Sequence, residues 1–245
     1  MGILDFFSKN RGSGPHAKHI ARVANKRAQA NDRWDSIVHL SNVGTDEAVE
    51  ALLVRFTYRT DPSITDQEEK DAALQGVVSA GEVAIAPCRR ALKQQNSIAW
   101  PLKCLGRVAG VEVVADALLE LLDGMDADYE RDPEKKVQTL LQLEEMSDRR
   151  IIAAVTRFLD DVSEPARFHA MITLLVQDAG SEAPSGEVKE VVMQRLGTEE
   201  SGRIRAKILD ACIERDWSIG TELLSAVRAS LPTGYSVNSV GKVTR

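Results

Sequence analysis

Six times along this chain, apolar residues recurring at three- and four-residue spacing run into a glycine or an aspartate and then begin again. Trp34, Ile37, Val38 and Leu40 form the first run, Ala73, Leu74, Val77 and Val78 the second, and Leu102, Leu105 and Val108 the third. Val137, Leu140, Leu141 and Leu143 come next, then Phe168, Met171, Ile172 and Leu175, then Ile204, Ile208, Ala211 and Cys212. This spacing is the period of an amphipathic helix. The breakers are Gly44, Gly81, Gly110, Asp148, Gly180 and Asp216, residue types suited to a helix end and a tight turn. They stand 37, 29, 38, 32 and 36 residues apart.

After each breaker a second amphipathic run begins, as in Ala48–Leu52–Leu53–Phe56, Ile85–Cys88–Leu92 and Val114–Leu118–Leu121–Leu122. Ile152–Val155–Phe158–Leu159, Val188–Val191–Val192 and Leu223–Leu224–Val227–Leu231 complete that set. The pattern predicts an all-α chain of six helix–turn–helix units, joined by polar or proline-bearing linkers at Asp61–Pro62, Asp132–Pro133, Glu164–Pro165 and 181–186. Pro133 and Pro165 suit the first position of the following helix. Units of this size cannot bury an apolar face alone, so stacking must make the core. An aromatic content of 4% argues against an all-β alternative.

Paired helices, a Gly or Asp at the internal turn and a basic residue opening the first helix (Lys135, Arg167, Arg203) resemble HEAT repeats, particularly the short bacterial HEAT-like kind. The resemblance covers Asp32 to about Leu231 and implies an α-solenoid of about six helix pairs. A tetratricopeptide array has a similar period, but its W-x-x-L-G-x-x-Y and A-x-x-x-F signatures are absent. The expected domains are a basic N-terminal arm and helix over 1–31, the solenoid over 32–231, and a short hairpin-like capping tail over 232–245.

The two ends differ in character from the middle. Residues 1–33 carry a net charge of +5, leaving −11 on the rest of a chain whose total is −6. The tip bears Ile3, Leu4, Phe6 and Phe7, an apolar cluster ahead of the basic residues. Three roles are open to it: an interfacial anchor on an anionic membrane, a docking element for a partner, and a cap on the first repeat. Phe6 stands where N-myristoylation needs Ser or Thr, so lipidation is not expected. At the other end, Tyr235, Val237, Val240 and Val243 alternate with polar residues and predict a small hairpin.

Motifs of catalysis are sparse. Cys88, Cys104 and Cys212 form no C-x-x-C pair and are expected to be buried thiols in a reducing compartment. Gly12 to Ala17 matches G-x-G-x-x-A, but no further strands exist to build the parallel sheet that such a loop needs. Asp126, Asp128 and Glu130 resemble the opening of a calcium loop, yet Arg131 and Val137 stand where the turn glycine and bidentate glutamate belong, so an acidic linker is expected. His16 and His19 are expected on a solvated face, and His39 and His169 as structural histidines. The adjacent acids Glu144–Glu145 and Asp160–Asp161 diverge around a helix and are expected in water. No metal site and no cofactor are expected.

Net charge and an isoelectric point near 5.4 disfavour general nucleic-acid binding. The leading expectation is a non-enzymatic scaffold or adaptor in the cytoplasm that binds another protein or peptide along the solenoid groove. In HEAT arrays the second helices line that groove, which nominates Arg55, Tyr58, Arg59, Arg89, Arg90, Arg149, Arg150 and Arg157 as partner-binding residues. Ile3, Leu4, Phe6 and Phe7 are the N-terminal docking candidates. Two alternatives stand beside this. One is a HEAT-fold base-processing enzyme like the alkylpurine glycosylases, for which Trp34, Trp100 and Trp217 could wall a flipped base. The other is a peripheral membrane adaptor recruited through the arm. Phycobilin lyases share the repeat, but no lyase motif is present.

Overall fold

A computed structural model describes residues 14–179 and 186–245. The fold is all-α. A short helix, α1 (Ala17–Ala24), precedes twelve helices that fall into six consecutive pairs. The pairs are α2 (Ala30–Val43) with α3 (Asp46–Val54), α4 (Ser63–Ser79) with α5 (Ile85–Gln94), and α6 (Ala99–Val108) with α7 (Val111–Asp123). They continue with α8 (Glu134–Glu144) and α9 (Arg150–Thr156), α10 (Glu164–Ala179) and α11 (Gly186–Thr198), and α12 (Gly202–Glu214) and α13 (Leu224–Ala229).

The breakers work through their backbone conformation. Gly44 and Gly81 take φ of 61° and 58° just past the ends of α2 and α4, the left-handed geometry that a side chain disfavours. Asp216 takes φ 54° beyond α12, a conformation that Asp tolerates better than most residues. Gly180 lies outside the described residues. Starts are marked too: Thr45 Oγ1 accepts the Ala48 N–H and Ser201 Oγ accepts the Ile204 N–H, one orphan donor satisfied at each N-terminus.

The chain divides into two compact units, 1–117 and 118–245, with the boundary inside α7. In the first, α2, α4 and α6 pack one on the next, α3 packs on α5, and α1 packs on α2 and α3. In the second, α8, α10 and α12 form the first-helix stack, α9 packs on α10, and α11 packs on α12 and α13. Ile37, Leu40, Leu52, Val77 and Leu105 are fully buried in the first unit, and Leu140, Phe158, Met171, Ile208 and Val227 in the second.

Two apolar runs are rotated from the expected register. Trp34 and Val38 are exposed, while Arg33 and Ser36 turn inward beside Ile37 and Leu40. Leu141 is likewise exposed, and Lys136 and Thr139 are buried. A buried cation with a carboxylate partner occupies the inward face as a leucine would, and hydropathy alone cannot register it. The C-terminal hairpin is present: β1 (Ser236–Val237) pairs antiparallel with β2 (Val243–Thr244). It packs on α12, with Val243 buried and Tyr235 Oη donating to Asp210 at 2.6 Å.

Candidate interaction surface

Basic side chains on the first and second helices serve two different ends. Those on the first helices turn inward. In the first unit Arg33 of α2 donates through Nε and Nη2 to Glu69 of α4 at 2.9–3.2 Å. Arg55, just past α3, donates to the same Glu69 at 2.7 Å and to Asp66 at 2.7 Å, and Lys70 donates to the other Asp66 oxygen at 2.7 Å. Burial pushes the Asp66 carboxyl up, but hydrogen bonds from Lys70, Arg55 and the Thr60 N–H outweigh it and leave it well below the ordinary carboxylate range.

The second unit repeats a simpler arrangement. Lys136 of α8, 1% exposed, donates to Asp161 at 2.7 Å. Arg167 of α10 donates to Glu199 at 3.0–3.1 Å and reaches back to the Asp161 carbonyl at 2.9 Å. Arg205 of α12 reaches back to the Glu199 carbonyl at 2.8 Å. Asp161 and Glu199 also accept the N–H two residues ahead, from Ser163 and Ser201, each at 2.8 Å. Burial raises the Glu199 carboxyl, but donors from Arg167, Ser201 and Arg195 overcome it and hold the group near 2. The stability this supplies is complete above pH 4.5 and is lost as pH falls toward 2.

These positions correct three expectations. Lys136 and Arg205, rather than Lys135 and Arg203, carry the inward charge; Arg203 instead lies 3.4 Å over the exposed side of the Phe168 ring. Asp161 is buried rather than solvated. The signal was present in the sequence as acid-x-(Ser/Asp)-x-x-x-base, at 130/132/136, 161/163/167 and 199/201/205. It went unnoticed because a search for apolar periodicity ignores charge.

The nominated second-helix residues divide accordingly. Arg55 is fully buried in the ion network and is not available to a partner; its four-donor satisfaction explains why an arginine can sit there. Tyr58 is half-buried, lies 4.5 Å under the Arg55 guanidinium and donates its hydroxyl to the Val23 carbonyl. Burial pushes its phenol up to about 12. Arg59 and Arg149 are exposed. Arg90 of α5 crosses to α3, where it is bound by Glu50 at 2.6 Å and by Asp46. Arg89 precedes it on the same helix. Arg150 pairs with Asp148 at 2.6 Å, and Arg157, exposed, donates to the Leu122 carbonyl at 2.7 Å. In the second unit Arg195 of α11 makes a similar crossing to Asp160, at 2.8 Å, in the turn that follows α9.

Ile3, Leu4, Phe6 and Phe7 lie outside the described residues, as do Gly12 and Ser13 of the glycine-rich match. The three tryptophans occupy separate environments: Trp34 is exposed on α2, Trp100 stacks on Phe56 at 4.7 Å with Lys103 4.6 Å over its ring, and Trp217 lies 4.9 Å under Arg215. Among the described residues no group of three His, Cys, Asp or Glu side chains could hold a metal ion. Likewise no helix among them is long and apolar enough to cross a membrane.

His16 and His19 are not on a solvated face. Both are half-buried against His39 of α2, and His169 donates or accepts at Glu144, 2.7 Å away. The i, i+3 spacing of the first two was visible in the sequence; their meeting with a third imidazole 20 residues on was not. No known family model matches the chain, and no solved structure matches it.

Proposed function

We propose that this chain is a non-enzymatic interaction module that holds a partner protein against its second helices. One observation carries the reading: Arg90 ties α5 to α3 through Glu50 and Asp46, so a surface of both charge signs is fixed before any partner arrives. Exposed ion pairs add little stability. Their value on such a surface is preorganisation, because ordered side chains lose less entropy on binding. Alternating signs select a partner of complementary pattern, a protein rather than a polyanion. Arg59 next to α3 and Arg149 and Arg157 flanking α9 extend the set with planar, multidentate donors favoured at interfaces.

Affinity capture from the source cell, using the full chain and its Arg59→Glu and Arg149→Glu variants, tests this reading. The expected result is one discrete partner whose recovery falls with the reversed charges. A partner held equally by the variants but lost on deleting residues 1–14 would overturn it and move the docking site to the N-terminal arm.

A further inference from the structure

Three of the four histidines meet at one place, where α1 docks. His16 Nδ1 lies 2.9 Å from His39 Nε2, and the His19 ring stacks on His39 with centroids 3.9 Å apart and planes 18° from parallel. From this geometry we infer that His16, His19 and His39 form a proton-operated clasp, closed over α1 when the imidazoles are neutral and opened when a second of them becomes charged. The inference is independent of the second-helix surface.

The hydrogen-bond inventory shows why. A bond between two imidazole nitrogens needs one N–H and one lone pair. Neutral–neutral and neutral–cation pairs both supply this, but two imidazolium rings would set N–H against N–H. The stacked His19 adds the same limit, since two cationic rings face to face repel. Ser36 Oγ already donates to the Asp32 carbonyl at 2.7 Å, so His19 Nδ1, 3.2 Å away, must be the donor toward it. Neutral His19 thus holds its proton on Nδ1, and its charged form adds one at Nε2.

No carboxylate nearby is free to shelter a second charge. On α1 itself Lys18 and Arg22 are cationic, and Arg22 holds Asp32 of α2 at 3.0 Å. On α2, Arg33 is committed to Glu69, and Asp35 is exposed. On α3, Asp46 and Glu50 are engaged by Arg90, and Glu47 is exposed. Tyr58, which donates to the Val23 carbonyl at the far end of α1, stays a neutral phenol. Burial lowers the His19 pKa below 6.5, and His39, Arg22, Lys18 and His16 lower it further. The undocked state therefore binds more protons. Docking is at full strength above pH 6.5 and weakens as pH falls below it.

What the clasp holds gives it consequence. α1 is the only described segment between residues 1–13 and the helix pairs, so its release frees the root of the basic, apolar-tipped arm.

Hydrogen exchange of the full chain between pH 8 and pH 5, normalised for intrinsic rates, tests the clasp. Protection over 17–24 should fall by about tenfold per pH unit for each proton taken up on release. Protection over 63–79 should hold, since α4 docks through Arg33, Arg55 and Glu69. His39→Phe keeps a ring for stacking but cannot take a proton, and should flatten the pH response. The inference is overturned if α1 and α4 lose protection together, or if His39→Phe keeps the wild-type profile. Should that variant not dock α1 even at pH 8, imidazole C–H titration of the wild-type chain decides. Ring titration in step with the α1 amide shifts supports the clasp, and ring titration that leaves those amides unmoved sinks it.

Discussion

The two compact units hold their first helices together with the same residue types wired in opposite ways. In residues 1–117 the buried charges converge: Arg33 and Arg55 both terminate on Glu69, and Arg55 and Lys70 both terminate on Asp66. In residues 118–245 they are strung out, each base bonded to the carboxylate ahead and the backbone behind. The first wiring concentrates dependence on one hub. The second distributes it, because neighbouring rungs share a residue but seldom a charged group. A buried ion pair contributes little relative to apolar residues of similar size, yet breaking one strands a charge, so the pattern of sharing decides which loss is severe.

That contrast can be broken most forcefully at the hub. Glu69→Gln leaves two buried guanidinium groups with one remaining carboxylate between them, and should destabilise the first unit by about 4 kcal/mol. Urea denaturation followed by probes in each unit would show it, and equal loss in both units would count against the hub. Lys136→Met strands only Asp161, which still accepts the Ser163 N–H and can protonate, so a smaller cost of about 2–3 kcal/mol is expected. Adding Asp161→Asn should recover part of it, in a double-mutant cycle read by the same melts. The smallest effect belongs to Arg205→Met. Arg205 bonds only to carbonyls, at Glu199 and more weakly at Val227, and its Nε has no partner. With no carboxylate to strand, the change should stay within about 1 kcal/mol in either direction.

Arg205 also shows where the series stops. Lys136 and Arg167 find their acids at Asp161 and Glu199, just before the next first helix. After α13 the chain turns into Pro232–Gly234 and the hairpin, with no further first helix and no acid at the corresponding place.

The helix pairs were legible because breaker and period are local properties: Gly44, Gly81 and Asp216 end helices by their own backbone preference. Pairing order followed from chain order alone. Side-chain facing was harder wherever a charge replaced an apolar residue. Trp34 looks like core to a hydropathy pattern and Arg33 like surface, and their roles are reversed by Glu69, 36 residues away. Arg55 misled for the same reason. The histidine cluster was beyond reach because it depends on the angle at which α1 returns across α2, which no local spacing encodes.

One further consequence concerns the loop between α7 and α8. Its carbonyls at Asp126 and Asp128 converge on the Lys136 ammonium, at 2.7 and 3.5 Å, with the Glu130 carboxylate at 3.6 Å. Sequence that hints at a soluble ion's cradle is thus filled by a cation on a four-carbon tether. A dissociable ion is present only in proportion to its concentration outside, whereas a tethered one keeps a fixed effective concentration. The shape of this loop is therefore indifferent to chelators and to the ionic composition of the medium. What can empty it is chemistry at the amine itself, and at 1% exposure that amine becomes reachable only when the segment opens.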